Sequence, residues 1–228
     1  VYKRRRISRI VSISIATSAA VILLCIGIFR YRDMVPFQPA MLAINTPVVK
    51  DSVPTLILGS GERMDMTEYA VNKKVVDVVR VAARIPDDFP SVFNVYKVPR
   101  MFTSRLALPD STIVYLNSDS ELSFPSRFSD SVRMVSVRGE AYFEVRHDKV
   151  PFVVRVNDAE IKVYGTKFNV KAYAGNSLAA VLVEGSIGVE YQGRNVIMHP
   201  GELCSVDHAS GNVSSRQVDC VDGRNVHV

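Results

Sequence analysis

The apolar positions of this chain change period once. Residues 10–29, IVSISIATSAAVILLCIGIF, carry no charge, no Pro and a single Gly. As a helix rising about 1.5 Å per residue this run would be about 30 Å long, the thickness of a bilayer hydrocarbon core. The pattern predicts one transmembrane helix over 10–29. A cleaved signal peptide fits less well, because FRYRDMVPF follows the run where a small-residue cleavage site should stand. A lipobox at Cys25 fits no better, since Leu23 and Leu24 precede it.

From residue 30 to 54 the chain carries Pro36, Pro39, Pro47 and Pro54 among small and apolar residues, the composition of a linker. After it the period becomes two. In TLILGSGERMDM, residues 55–66, Leu56, Leu58, Met64 and Met66 share one parity, and LGSGE predicts the turn of a hairpin. The cadence returns in RLALPDSTIVYL, residues 105–116, with Leu106, Leu108, Val114 and Leu116 in the corresponding places. Two copies predict a duplicated β unit. Further strands are expected at 132–138, 140–146, 151–156, 159–164, 167–173, 179–184, 186–191 and 195–198, each alternating or rich in Val and Ile. In AEIKVYGTKFNVKAY the apolar parity slips at Gly165, as a bulge or a sharp bend would require. No stretch after residue 34 keeps a 3.6 period over three turns, with TEYAVNKKVVDVVRVAARI, residues 67–85, the nearest exception. The expected fold is therefore an all-β domain of twisted antiparallel sheets, sandwich or solenoid-like, preceded by the single transmembrane helix.

Charge refines the topology. Of the net +5, Lys3, Arg4, Arg5, Arg6 and Arg9 lie just before the apolar run, while residues 34 onward balance to within one charge. The bias keeps the N-terminus in the cytoplasm and puts the rest outside. Topology alone accounts for KRRR, so no nucleic-acid partner is expected. Cys204 and Cys220 would then share an oxidising compartment, where a disulfide is allowed and two free thiols equally so. Cys-x-x-Cys and paired-His spacings are absent from the sequence, and neither a metal nor another cofactor is expected.

Candidate chemistry concentrates in SVRGEAYFEVRHD, residues 136–148. Glu140, Tyr142 and Glu144 occupy one face of a strand, with His147 and Asp148 after it. Glu140 and Glu144 would stand about 13 Å apart, beyond the roughly 5–9.5 Å that glycoside cleavage uses. EGSIG at 184–188 lacks the spacing of a nucleophile elbow, and LGSGE lacks the Lys of a phosphate loop. His147 and His199 read as turn residues, and the chain is not expected to be an enzyme.

The stretch LALPDSTIVYLNSDSELSFPSRFSDSVRMVSVRGEAYFEV, followed in order by PFVVRVNDAEIKVYGTKFNVKAY, AAVLVEGSIGVE and MHPGELCSV, resembles the FecR family, the membrane-bound regulators of extracytoplasmic-function sigma factors. The similarity runs from about Val95 to Val206, and the half-repeat at 55–66 resembles the form common in Bacteroidota. The resemblance implies a regulator in the inner membrane with a periplasmic β domain. That domain would answer to the signalling domain of an outer-membrane TonB-dependent receptor, and a cytoplasmic region would hold the sigma factor. Only nine residues precede the apolar run, so that region is expected to be absent from this chain, and the usual C-terminal module as well. The expected organisation is a cytoplasmic tail at 1–9, the helix at 10–29, a linker at 30–54, an N-terminal β subunit at 55–94, the FecR-like domain at 95–206 and a C-terminal tail at 207–228. In the family's Leu-Pro-Asp-Gly-Thr turn, Ser111 replaces the Gly, so the turn must avoid positive φ or accept strain. The competing reading is an envelope carbohydrate-binding or hydrolytic β-sandwich, which would show a concave face lined by aromatic and acidic side chains. A third is a purely structural envelope protein.

Overall fold

The computed structural model describes residues 52–78, 93–173, 177–207 and 210–218. The expected tail at 1–9 and helix at 10–29, all of the linker but its last residues, and Cys220 lie outside the described residues. Among the described residues no helix is long and apolar enough to cross a membrane.

The architecture is all-β. The strands are β1 (Thr55–Ile57), β2 (Arg63–Asp65), β3 (Val75–Asp77), β4 (Phe93–Val98), β5 (Ser104–Ala107), β6 (Ile113–Leu116), β7 (Ser120–Pro125) and β8 (Arg133–Glu144). They continue with β9 (Phe152–Val156), β10 (Ala159–Val163), β11 (Lys167–Ala172), β12 (Leu178–Glu184), β13 (Ile187–Tyr191), β14 (Arg194–Met198), β15 (Glu202–Asp207) and β16 (Asn212–Gln217). A short helix, α1 (Thr67–Val71), opens the stretch at 67–85 that came nearest to helical periodicity. The Val-Val pair after it goes instead into β3, parallel to β5.

The strands form two sheets. The first runs β2-β1-β4-β7-β8-β9-β10-β13-β14 and the second β3-β5-β6-β8-β11-β12-β15-β16. Only β8 belongs to both. Its first half pairs with β7 and β9, and its second half with β6 and β11. The sequence reading broke this element at Gly139. The structure keeps it continuous over 12 residues, because Gly139 takes φ +94° and redirects the strand without ending it. A side chain there would also strike Ser120, whose Cα lies 2.7 Å from the position of a Cβ.

The chain deals its strands to the two sheets in turn, β9 and β10 to the first, β11 and β12 to the second, β13 and β14 to the first, β15 and β16 to the second. The parallel pair β8–β9 follows from this winding, since the crossover that parallel strands need is supplied by β8's own second half in the opposite sheet. The parity slip at Gly165 has the same origin. It marks the passage from β10 to β11, where the inward face reverses, so Ile161 and Val163 are buried before it and Phe168, Val170 and Ala172 after it. Gly165 is required there because a Cβ would lie 2.7 Å from the Cα of His147.

Side chains of both sheets share one core. Phe143 stacks on Phe168 at 5.0 Å and meets Phe152 of the first sheet edge-on at 6.1 Å; such pairs add about 0.5–1.5 kcal/mol beyond the area they bury. Leu56, Leu58 and Met66 belong to the same core as Leu106, Leu108 and Leu116, so the expected N-terminal subunit and the FecR-like stretch are packed together. β16 occupies part of what the sequence reading treated as a tail. Its pattern of exposed polar residues is that of an edge strand, paired on one side with β15.

The two hairpins predicted as copies share their turn bonding. Leu58 N donates to Glu62 O and Gly61 N to Leu58 O, each at 2.8 Å, and Leu108 N donates to Thr112 O and Ser111 N to Leu108 O, each at 2.9 Å. Gly61 has φ +89° and Ser111 φ +70°. Of the two possibilities for the Leu-Pro-Asp-Ser-Thr turn, the structure takes the strained one.

Candidate functional site

The second sheet's outer face carries a row of residues directly opposite one another. Arg105 on β5 faces Tyr115 on β6, Tyr115 faces Tyr142 on β8, and Tyr142 faces Asn169 on β11. They fall on one face because each neighbours inward residues on both sides, Leu106, Val114 and Leu116, Ala141 and Phe143, and Phe168 and Val170, all in the core. The Tyr115 and Tyr142 rings lie 5.8 Å apart, and Arg105 Cζ sits 5.0 Å from the centre of the Tyr115 ring.

The row forms the floor of a cavity of about 350 Å³, whose lining also includes Lys73, Asn117 and Glu140. Asn117 Nδ2 donates to one oxygen of Glu140 and Asn169 Nδ2 to the other, each at 3.1 Å. Two side-chain amides thus fix the carboxylate at the cavity wall. The Arg105 side chain forms neither a salt bridge nor a hydrogen bond among the described residues, and its Nε is buried with no partner.

The residues singled out in the sequence separate on this map. Glu140 and Tyr142 line the cavity. Glu144 does not; it stands four residues on along β8, opposite Lys167 and Ile113, so it cannot join Glu140 in acting on one bond. His147 and Asp148 belong to the loop returning to the first sheet. Asp148 Oδ1 accepts from Val150 N at 3.0 Å, and this bond holds its carboxyl below the usual carboxylate range, helped by Arg133 and Arg146 nearby. His199 lies in an exposed turn, its backbone N donating to Glu202 Oε2 at 2.8 Å. Gly185 and Ser186 make the β12–β13 turn, with Ser186 O accepting from Thr166. No group of His, Cys, Asp and Glu among the described residues could hold a metal ion. Cys204 is a free, buried thiol on β15, raised by burial above its ordinary value.

Arg105, Tyr115, Asn117 and Asn169 escaped the sequence reading. Arg105, Tyr115 and Asn169 stand at outward positions of their own strands and Asn117 directly follows β6, and nothing within any one strand relates them to one another; only the register across the strands assembles them.

The fold and cavity define an all-β domain that offers a recessed polar and aromatic surface. Residues 97–188 match the family model described as FecR protein. Two crystal structures of a protein assigned as an anti-sigma factor from Parabacteroides distasonis ATCC 8503, at 2.50 and 1.65 Å, share the fold at 31% identity, with TM-scores of 0.54 and 0.53. The matches cover 56% and 55% of this chain and 61% and 60% of those chains, so the similarity spans about three fifths of these relatives. No curated protein matches the chain.

Proposed function

We propose that the chain is the sensing part of a membrane-anchored anti-sigma regulator. It sits in the inner membrane with its N-terminus in the cytoplasm and its β domain in the periplasm. The β domain takes a signal from the signalling domain of a TonB-dependent outer-membrane receptor and relays it to an extracytoplasmic-function sigma factor. The observation that carries this reading is the FecR match at 97–188, together with 31% identity to a protein assigned as an anti-sigma factor. The charge asymmetry around residues 10–29 supports the orientation.

The test is genetic. Deleting the coding sequence should change expression from the promoter of the cognate sigma factor, and restoring the protein with residues 97–188 removed should fail to bring back the response to the inducing ligand. An unchanged promoter response in both strains would exclude the relay. Protease added to spheroplasts should digest residues beyond about 34 if the orientation holds.

The cavity gives a specific reason to keep a second reading, a carbohydrate-binding β domain, since Tyr115, Tyr142 and Glu140 form the aromatic and acidic concave surface such a protein needs.

A further inference from the structure

The cavity on the second sheet holds a cation that the fold itself does not use. Arg105 lines it, has no ionic partner among the described residues, and keeps a buried Nε–H that donates to nothing. Leaving such a donor unmet is costly, and an unsatisfied buried group in an otherwise satisfied fold calls for an explanation. Here Nε is the sole buried side-chain nitrogen or oxygen lacking a partner among the described residues. Tyr115, beneath the guanidinium, holds its plane and limits the rotamers it can visit.

We propose that this cavity is a binding site for a singly charged organic carboxylate, gripped by Arg105. This goes beyond the relay and does not depend on it. The two Nη groups of a guanidinium present their N–H bonds as a fork that matches the two oxygens of a carboxylate. Charge selects the anion further. Glu140 stands in the same lining with Lys73 at the rim, so two cationic side chains oppose one fixed carboxylate. That balance suits a monoanion and disfavours a phosphate dianion. The rest of the wall sets the ligand's body. Tyr142 and Tyr115 offer ring faces, and Asn117 and Asn169 offer amide groups, a combination that fits a ring with hydroxyls or a short amide chain. At about 350 Å³ the space lies at the small end of ligand sites, enough for one sugar acid or one acylated amino acid. Carboxylates of both kinds present the same chemistry to Arg105, and the experiment separates the sources.

The full chain, in detergent, is titrated calorimetrically with two matched pairs of probes, D-glucuronate against D-glucose and N-acetylalanine against N-acetylalaninamide. At least one acid is expected to bind about tenfold or more tightly than its neutral twin, the ratio a charged hydrogen-bonded contact supplies. Which pair shows the preference identifies the ligand's body. Arg105→Gln should abolish the preference, and Arg105→Lys should retain part of it, since Lys keeps the charge and loses the fork. Thermal melts of both variants check folding, and if Arg105→Gln does not fold the Lys variant decides. Four results overturn the proposal: no binding of either acid up to millimolar concentration, equal binding of acid and neutral twin, a preference undiminished in Arg105→Gln, or one undiminished in Arg105→Lys when that variant decides.

Discussion

Arg133 Nη1 lies 2.8 Å from Asp110 Oδ2, and both side chains are almost entirely buried. Arg133 is the first residue of the strand shared by the two sheets, and Asp110 sits at the tip of the β5–β6 hairpin of the second sheet. The rest of the guanidinium is also satisfied, with Nε and Nη2 donating to Val150 O and Nη1 to Arg146 O. Asp110 accepts in addition from the backbone N and the hydroxyl of Thr112. One cation therefore ties a hairpin tip and a return loop to the start of β8, and this gives a structural reason for the Asp and Thr of the Leu-Pro-Asp-Ser-Thr turn.

Removing one partner of this pair should be severe. Arg133→Met strands a buried carboxylate, and a loss of about 3–5 kcal/mol is expected. Chemical denaturation measures it. Arg133→Met combined with Asp110→Leu should lose less than the two single variants together. A loss under about 1 kcal/mol in Arg133→Met would remove the pair from the account.

Ser111 and Gly61 occupy the same place in two hairpins of the same bonding, and only Ser111 bears a side chain at positive φ. Ser111→Gly should therefore stabilise the protein, by about 0.5–1 kcal/mol once the extra freedom of Gly in the unfolded chain is counted. Gly61→Ala, with nothing within 4 Å of the added carbon, should destabilise by a comparable amount through backbone strain alone. A rise in melting temperature for the first and a fall for the second is the expected pair of outcomes.

Gly139→Ala meets both difficulties at once, φ +94° and a close approach to the Ser120 backbone. A loss on the order of 3 kcal/mol is expected, strain and overpacking adding together. Shortening Ser120 to Gly in the same chain should restore little, because the obstructing atoms include the Ser120 Cα and the Asp119 carbonyl oxygen.

Alkaline pH should weaken the fold. Burial raises Tyr96 above its ordinary 10.0, only partly offset by its hydroxyl bond with Ser104, and burial raises Cys204 above 9.0. A group raised on folding stabilises fully below its unfolded pKa, and the contribution is lost as pH rises through the folded value. Melting temperature should fall from about pH 9 to about pH 11, and less steeply in Tyr96→Phe, whose unfolded chain has one fewer proton to release. An unaltered slope would remove Tyr96 from the cause. For the same reason Cys204 should resist alkylation until the protein is denatured, as mass spectrometry of the labelled peptides can read.

The parities of residues 105–116 and the slip at Gly165 were legible because each reports which face of a strand is dry, and burial acts residue by residue. The continuity of β8 was not. A Gly at positive φ reads in sequence like a break, and what keeps the strand whole is pairing with four others that the local pattern does not contain. Arg133 shares its parity with the buried Val135 and Val137, so a cation on a core face was visible, but its partner lay on another hairpin. The cavity was the least legible element. Tyr142 and Glu140 were noticed for their chemistry, whereas Arg105 and Asn169 acquire theirs from register.

The strand shared by both sheets also fixes how this domain can pass on a disturbance. Neither sheet can be peeled away while β8 stays paired on both sides, and neither is whole without it. Fraying is expected at the margins, where β2, β3, β14 and β16 each have a single neighbouring strand among the described residues. Hydrogen exchange should accordingly find one slow cooperative block centred on β8, with fast margins. A domain built this way passes on a mechanical tug as a rigid body, and its melting begins at its rims.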